Sequence, residues 1–159
     1  MRRLLEAVAL LALLASLTLT ADALFGPHAL PGRIPTHFDI AGEADAWGNP
    51  RMLLLLPLIS LGLYAMMTFL SRRPASFNYP APVTAQNRAR MHQLATGMLA
   101  WLKAEVLVLF ALIQFFAIRT ARVAANVLPR WLMPVGLVLI FAAVLWHIRA
   151  MRRAAYRRS

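Results

Sequence analysis

The chain has 159 residues, 60% of them hydrophobic, above the roughly 45–50% of soluble domains. Seventeen Lys and Arg stand against six Asp and Glu, a net charge of +11, yet the arginines fall in short groups between long apolar runs. A nucleic-acid binder would instead carry a basic face on an ordinary core. The absence of Cys excludes a disulfide framework, a thiolate nucleophile and a Cys-ligated metal.

The first apolar segment, about 4–25, is bounded by Glu6 and Asp22. Arg2, Arg3 and "ADA" at Ala21–Ala23 also fit a secretory signal with its cleavage site. Glu6 and the long run Ala7–Ala21 favour a retained helix.

The loop 26–51 follows. Pro31 and Pro35 push Leu30 and Ile34 toward extended backbone. "IPTHFDI" then alternates, with Thr36, Phe38 and Ile40 on one face and His37 and Asp39 on the other. Gly42 supplies a tight turn and "AWGNP" further turn formers. This pattern predicts a short β-hairpin, with Phe38, Ile40 and Trp47 packed onto the helix ends or into the membrane interface and His37 paired with Asp39.

The second segment, 52–71, contains 19 uncharged residues from Met52 to Leu70, about 28 Å of helix and close to a bilayer's hydrocarbon thickness. Pro57 reads as a tolerated kink and Gly62 as a point of close helix contact. The connector Arg72–Arg90 holds three prolines. It ends where Thr84 can cap a helix, with Asn87 in the place a capping box gives to Glu or Gln.

The third segment, 91–118, carries Lys103 and Glu105, which point to nearly opposite sides of a helix. At 100° per residue Lys103 shares a stripe with His92, Thr96 and Gln114, predicted to face the bundle interior. Ionisable groups inside a span are functional-site hypotheses by default. For Lys103 the rival reading is snorkelling to the headgroups. Glu105 is shorter and calls for a partner or a proton. The fourth segment, 131–150, has Trp131 and Trp146 near its ends, an aromatic-belt arrangement, and His147 as an interface residue. A basic tail, 151–159, rests on anionic headgroups.

With the N-terminus inside, the inner segments hold 11 arginines and the outer loops 5, the expected asymmetry of a cytoplasmic side. The expectation is one all-α membrane domain over 1–159: a four-transmembrane-helix bundle with an extracytoplasmic β-hairpin cap between helices 1 and 2, and both termini cytoplasmic.

Catalytic signals are sparse. His37, Asp39, Glu43, Asp45 and His28 suit zinc or manganese by ligand type, but no HExxH occurs, and the bland reading is a rigid cap of turns and aromatic packing. Ser16, Ser60, Ser71, Ser76 and Ser159 lie outside any GxSxG turn, and phosphate-cradling glycine motifs are missing. No catalytic residue, metal or cofactor is assigned.

"LPGRIPTHFDIAGEADAWG", Leu30 to Gly48, resembles the LP-x-x-IP-x-HF-(D/N)-x-x-G-x-x-D-x-(W/Y)-G signature of a bacterial domain of unknown function. That domain forms the N-terminal part of SdpI-type immunity proteins and also occurs in small stand-alone membrane proteins. Pro31, Ile34, Pro35, His37, Phe38, Asp39, Gly42, Asp45, Trp47 and Gly48 carry the resemblance. Arg51 stands where the family often has lysine. The likeness continues through "FNYPAPVTAQNRARMHQLATGMLAWLKAE" and covers about 4–118. It implies protection against a secreted toxin and capture of a cytoplasmic repressor. Neither transfers directly, because SdpI-type proteins are longer.

The leading expectation is a non-enzymatic protein of the bacterial inner membrane, with SdpI-like immunity or signalling through its outer loop. Its partners are the lipid bilayer and a secreted peptide or another membrane protein, not nucleic acid, and it can form a homo-oligomer. Two alternatives remain: an oligomeric proton-coupled transporter subunit using Glu105, Lys103 and the Pro57 kink, and a membrane metalloenzyme using His37 and Asp39.

Overall fold

The computed structural model describes residues 1–27, 29–30, 32–39, 41–123 and 125–156; His28, Pro31, Ile40 and Ser159, all named above, lie outside them, as do Arg157 and Arg158 of the basic tail. Among the described residues four long helices surround a small hairpin: α1 (Arg2–Phe25), β1 (Ile34–Phe38), β2 (Ala44–Gly48), α2 (Leu55–Ser71), α3 (Arg88–Val123) and α4 (Leu132–Tyr156). α1, α3, α4 and the continuous helical segment Pro50–Ser71 that contains α2 are each long and apolar enough to cross a membrane.

Their packing reverses the order of a soluble core. The buried stripe of α1 runs Leu5, Ala9, Ala12, Leu13, Ser16, Thr20 and Ala23, steps of three and four residues that keep one face inward. It meets Ala100, Ala104 and Leu107 of α3. Small side chains line the contact while Leu11, Leu14, Leu58, Val138 and Phe141 point outward. Helices that associate in lipid show this arrangement, because close backbone approach and van der Waals contact replace hydrophobic burial. The central helix is α3, which packs against α1, α2, α4 and β1.

Two glycines divide these roles unexpectedly. Gly62 has open space where a Cβ would stand, so it makes no helix contact within the chain. Gly136 of α4 supplies the close approach instead, since a Cβ there would lie 3.0 Å from Leu109 Cδ1.

Pro57 is likewise not a mid-span kink. A 3₁₀ turn, Pro50–Leu54, leads into α2, so Pro57 occupies the helix's third position. In a first turn the missing N–H and fixed φ cost little. α3 begins earlier than expected and ends later. Its start is fixed by Thr84 and Asn87, whose backbone N–H groups each donate to the other's side-chain oxygen, at 2.8 and 3.4 Å. This is a capping box closed by asparagine. Part of the basic tail is helical too, because α4 continues to Tyr156.

The arginine-rich end has its own apolar cluster. Phe77, Tyr79, Ala81 and Val83 from the α2–α3 connector pack on Met91, Leu94, Ala95 and Met151. The Tyr79 hydroxyl donates to the Pro74 carbonyl at 2.8 Å. At that end His147 is buried in α4, its Nδ1–H donating to the Ala143 carbonyl at 2.8 Å.

Candidate functional site

The hairpin sits on the opposite end of the bundle. Ile34 is pinned among Ala23, Leu53, Ile118 and Ala121, and Phe38 leans on Leu109, Leu128 and Leu132. Its turn is built by Asp39, which exchanges backbone bonds with Glu43 and Gly42 and accepts from the Glu43 N–H through Oδ1 at 2.8 Å. Gly42 has φ +80, a conformation that only residues without a Cβ adopt freely. Its carbonyl accepts from Asn126 Nδ2 at 2.6 Å, which ties the turn to the α3–α4 connector.

Strand alternation fails at one point. The pairing Ile34↔Gly48, Pro35↔Trp47, His37↔Ala46 and Phe38↔Ala44 is interrupted around His37, so Thr36 and His37 are both exposed. A bulge of this kind re-aims side chains. His37 therefore pairs with Asp45, Nδ1 to Oδ1 at 2.6 Å, and not with Asp39, whose carboxylate is committed to the turn. Trp47 is 42% exposed and so is not buried against the helix ends. Among the described residues no three His, Asp or Glu converge well enough to hold a metal. Glu43 faces Arg130 at 3.4 Å instead.

Between the hairpin and the helix ends lies a pocket of about 300 Å³. Its walls are mainly apolar, with Pro35, Phe38, Leu56, Ile113 and Met133 among them, and His37 and Gln114 supply its polar points. Glu105 is not among the lining residues.

Gln114 has a structural duty as well. In a regular helix the carbonyl of Leu53 would accept from the N–H four residues on, which is the position of Pro57. Gln114 Nε2 replaces that missing donor, reaching the Leu53 carbonyl at 2.9 Å and Thr20 Oγ1 at 2.7 Å. Thr20 in turn donates to the Ser16 carbonyl at 2.7 Å. One buried amide thus joins α1, the 3₁₀ turn that leads into α2, and α3.

A second polar knot lies toward the other end. Lys103 does not snorkel: its side chain is 2% exposed. Its Nζ donates to Glu6 Oε1 and Oε2 at 2.8 and 2.7 Å and to Thr68 Oγ1 at 2.9 Å. The ammonium also lies 4.5 Å from the centre of the Tyr64 ring, a cation–π contact, and the Tyr64 hydroxyl donates to Glu6 Oε2 at 3.4 Å. Sequence reasoning used Glu6 as a segment boundary and against a cleaved signal, and missed Thr68 and Tyr64. The available signal was that Lys103 is the chain's only lysine and Glu6 one of three acidic residues within the apolar segments, with Asp22 and Glu105. Glu105 stands apart, on α3, with Oε2 buried and without a hydrogen-bond partner among the described residues.

Comparison with protein families matches residues 8–61 to a domain of unknown function (DUF1648). The matched stretch takes in most of α1, the hairpin and the first turns of α2. No curated protein and no solved structure matches the chain.

Proposed function

We propose that this is a four-span protein of the bacterial cytoplasmic membrane, with both termini cytoplasmic and the hairpin outside. Its role is non-catalytic: the pocket beneath the hairpin takes an apolar portion of a secreted peptide or of another membrane protein, in SdpI-like immunity or signalling. The observation that carries this reading is the pocket of about 300 Å³ walled by β1, α2, α3 and α4. That volume lies at the small end of ligand sites, which pair apolar walls with a few polar groups. Thr36 and His37 line it from the hairpin, His37 pairs with Asp45 and Trp47 is exposed on the same hairpin; an apolar pocket edged by polar groups is what an anchoring side chain needs. The outward-facing leucines of α1 and α2 and the exposed Trp131 and Trp146 support the bilayer placement.

Two measurements test it. Single cysteines introduced at Ala46 and Ala85 of this cysteine-free chain are treated with a membrane-impermeant maleimide. Ala46→Cys labels in intact cells and Ala85→Cys only after permeabilisation; the reverse pattern refutes the orientation. Expression in a bacterium challenged with a panel of secreted amphipathic peptides raises survival, and Ala117→Leu, which fills the pocket, abolishes the gain. Unchanged sensitivity to the panel, with no envelope-stress phenotype in a deletion strain, counts against the role.

A transport reading is favoured by one observation, the unpartnered Oε2 of Glu105, since polar atoms buried without partners mark functional groups more often than accidents. It requires oligomers. Proton-linked uptake that survives Glu105→Gln removes it.

A further inference from the structure

The arginine-rich end contains a far larger groove, about 1510 Å³, between α4 and the start of α3. One wall carries Thr84, Asn87 and Arg90; the other carries Trp146, Arg149 and Arg153. None of these three arginines pairs with a carboxylate among the described residues. The sequence explains why. Acidic residues are absent from 46–104 and from 106–159, and Glu6 at this end is taken by Lys103. Among the described residues three guanidinium groups therefore face one cavity with no carboxylate beside them; Arg90 donates only to the neutral Gln93 Oε1, at 3.0 Å.

The other half of the groove is apolar. Ala142, Leu145, Trp146, Arg149, Ala150 and Arg153 lie on one stripe of α4, at helical spacings of three and four. Arg153 to Trp146 covers about 10 Å along the axis. Beyond Trp146, α4 continues with exposed Phe141, Val138 and Leu137. A ligand that satisfies the whole stripe has an anionic head at Arg149 and Arg153 and a hydrocarbon tail past Trp146.

We propose that this groove is a binding site for one anionic phospholipid. Its phosphate is held by Arg90, Arg149 and Arg153 and its acyl chains lie along α4. Guanidinium forks match phosphate oxygens bidentately, and the positive end of the α3 dipole, at Asn87 and Arg90, adds to the field. Basic pockets beside spanning helices on the cytoplasmic side recognise lipid heads in this manner. Free phosphate would use the arginines and leave the apolar half of the groove empty. A lipid here would bridge α4 to the α2–α3 connector, two elements otherwise joined through the Phe77–Met151 cluster.

The inference rests on the membrane placement proposed above. The test uses the full chain, purified from the membrane fraction in zwitterionic detergent. Thermal unfolding is followed while short-chain phosphatidylglycerol, short-chain phosphatidylcholine or inorganic phosphate is added. The expected result is a saturable rise in Tm with phosphatidylglycerol alone. In the triple variant Arg90→Gln, Arg149→Gln, Arg153→Gln, apparent affinity falls by about tenfold or more, as the loss of charge-assisted bonds predicts. The control variant Arg2→Gln, Arg3→Gln, Arg152→Gln changes the same charge outside the groove and keeps wild-type affinity. An equal response to inorganic phosphate overturns the lipid assignment. An equal response to phosphatidylcholine, or an equal loss in both variants, overturns the arginine site. Protein that extracts from the membrane fraction yet fails these titrations sinks the site and leaves the membrane placement standing.

Discussion

Replacing Glu6 by leucine leaves the Lys103 ammonium, 2% exposed, with only the Thr68 hydroxyl and the Tyr64 ring for company. At the observed 2.7 Å and an effective dielectric of about 20, the ion-pair attraction is about 6 kcal/mol. Desolvation of the two ions cancels much of that, so the pair itself adds little over an apolar replacement, whereas stranding one ion costs about 3–5 kcal/mol. In Glu6→Leu the stranded ion is Lys103, 2% exposed, so the substitution costs the full range of about 3–5 kcal/mol. Lys103→Met strands the more accessible partner and costs about 1–2 kcal/mol, less than for a fully buried ion. The double variant removes both charges and returns to within about 1 kcal/mol of wild type. The cycle therefore yields a coupling of at least about 3 kcal/mol. The assay is equilibrium unfolding in mixed micelles with rising SDS, followed by Trp fluorescence and far-UV circular dichroism. If the two single costs simply add in the double variant, the ion pair is not a coupled unit and the reasoning fails.

Three further outcomes follow from the same contacts. Gln114→Leu leaves the Leu53 carbonyl without its donor and Thr20 with only its bond to Ser16, and lowers stability by about 1–3 kcal/mol. Adding Pro57→Ala restores an N–H for that carbonyl and recovers part of the loss in the same unfolding assay; no recovery would refute the repair. Gly136→Val drives a side chain into Leu109 and costs about 1–3 kcal/mol, whereas Gly62→Val, facing open space, stays within about 0.5 kcal/mol of wild type; equal effects would contradict the assignment of α4's contact. Burial pushes the Tyr79 phenol above its ordinary 10.0. The unfolded chain therefore releases this proton first, and the stabilisation present below pH 10 is lost as pH rises through the higher folded-state value. Tyr79→Phe should flatten that part of an alkaline stability profile while lowering stability at neutral pH through loss of the bond to Pro74.

Four apolar segments and the turn-rich loop were legible because their signals are local: length, absence of charge, and proline and glycine placement. The hairpin's strands were legible for the same reason. Its face assignment was not, since the irregularity at His37 is set by pairing with β2 and by Asp39's commitment to its own turn. Helix ends were misplaced where packing extended them, as at the start of α3, which the Phe77–Met151 cluster supports outside the apolar run. The inward stripe of α3 followed from periodicity for Lys103 and Gln114, but their partners lie 97 and 94 positions away, Glu6 and Thr20. Nothing in a single sequence ranks those contacts. The role of Gln114 needed the backbone, because only there does the carbonyl left idle by Pro57 meet an amide.

The dependence of α1 and α2 on α3 sets an order for biosynthesis. In the proposed membrane setting, the Glu6 carboxylate, the Thr20 hydroxyl and the Leu53 carbonyl all lack their α3 counterparts once the first two spans are made. Lys103 and Gln114 follow 32 and 43 residues after Ser71, on a single helix, and settle both knots as that helix docks. The third helix is therefore the point at which the first two become one unit, onto which α4 then packs.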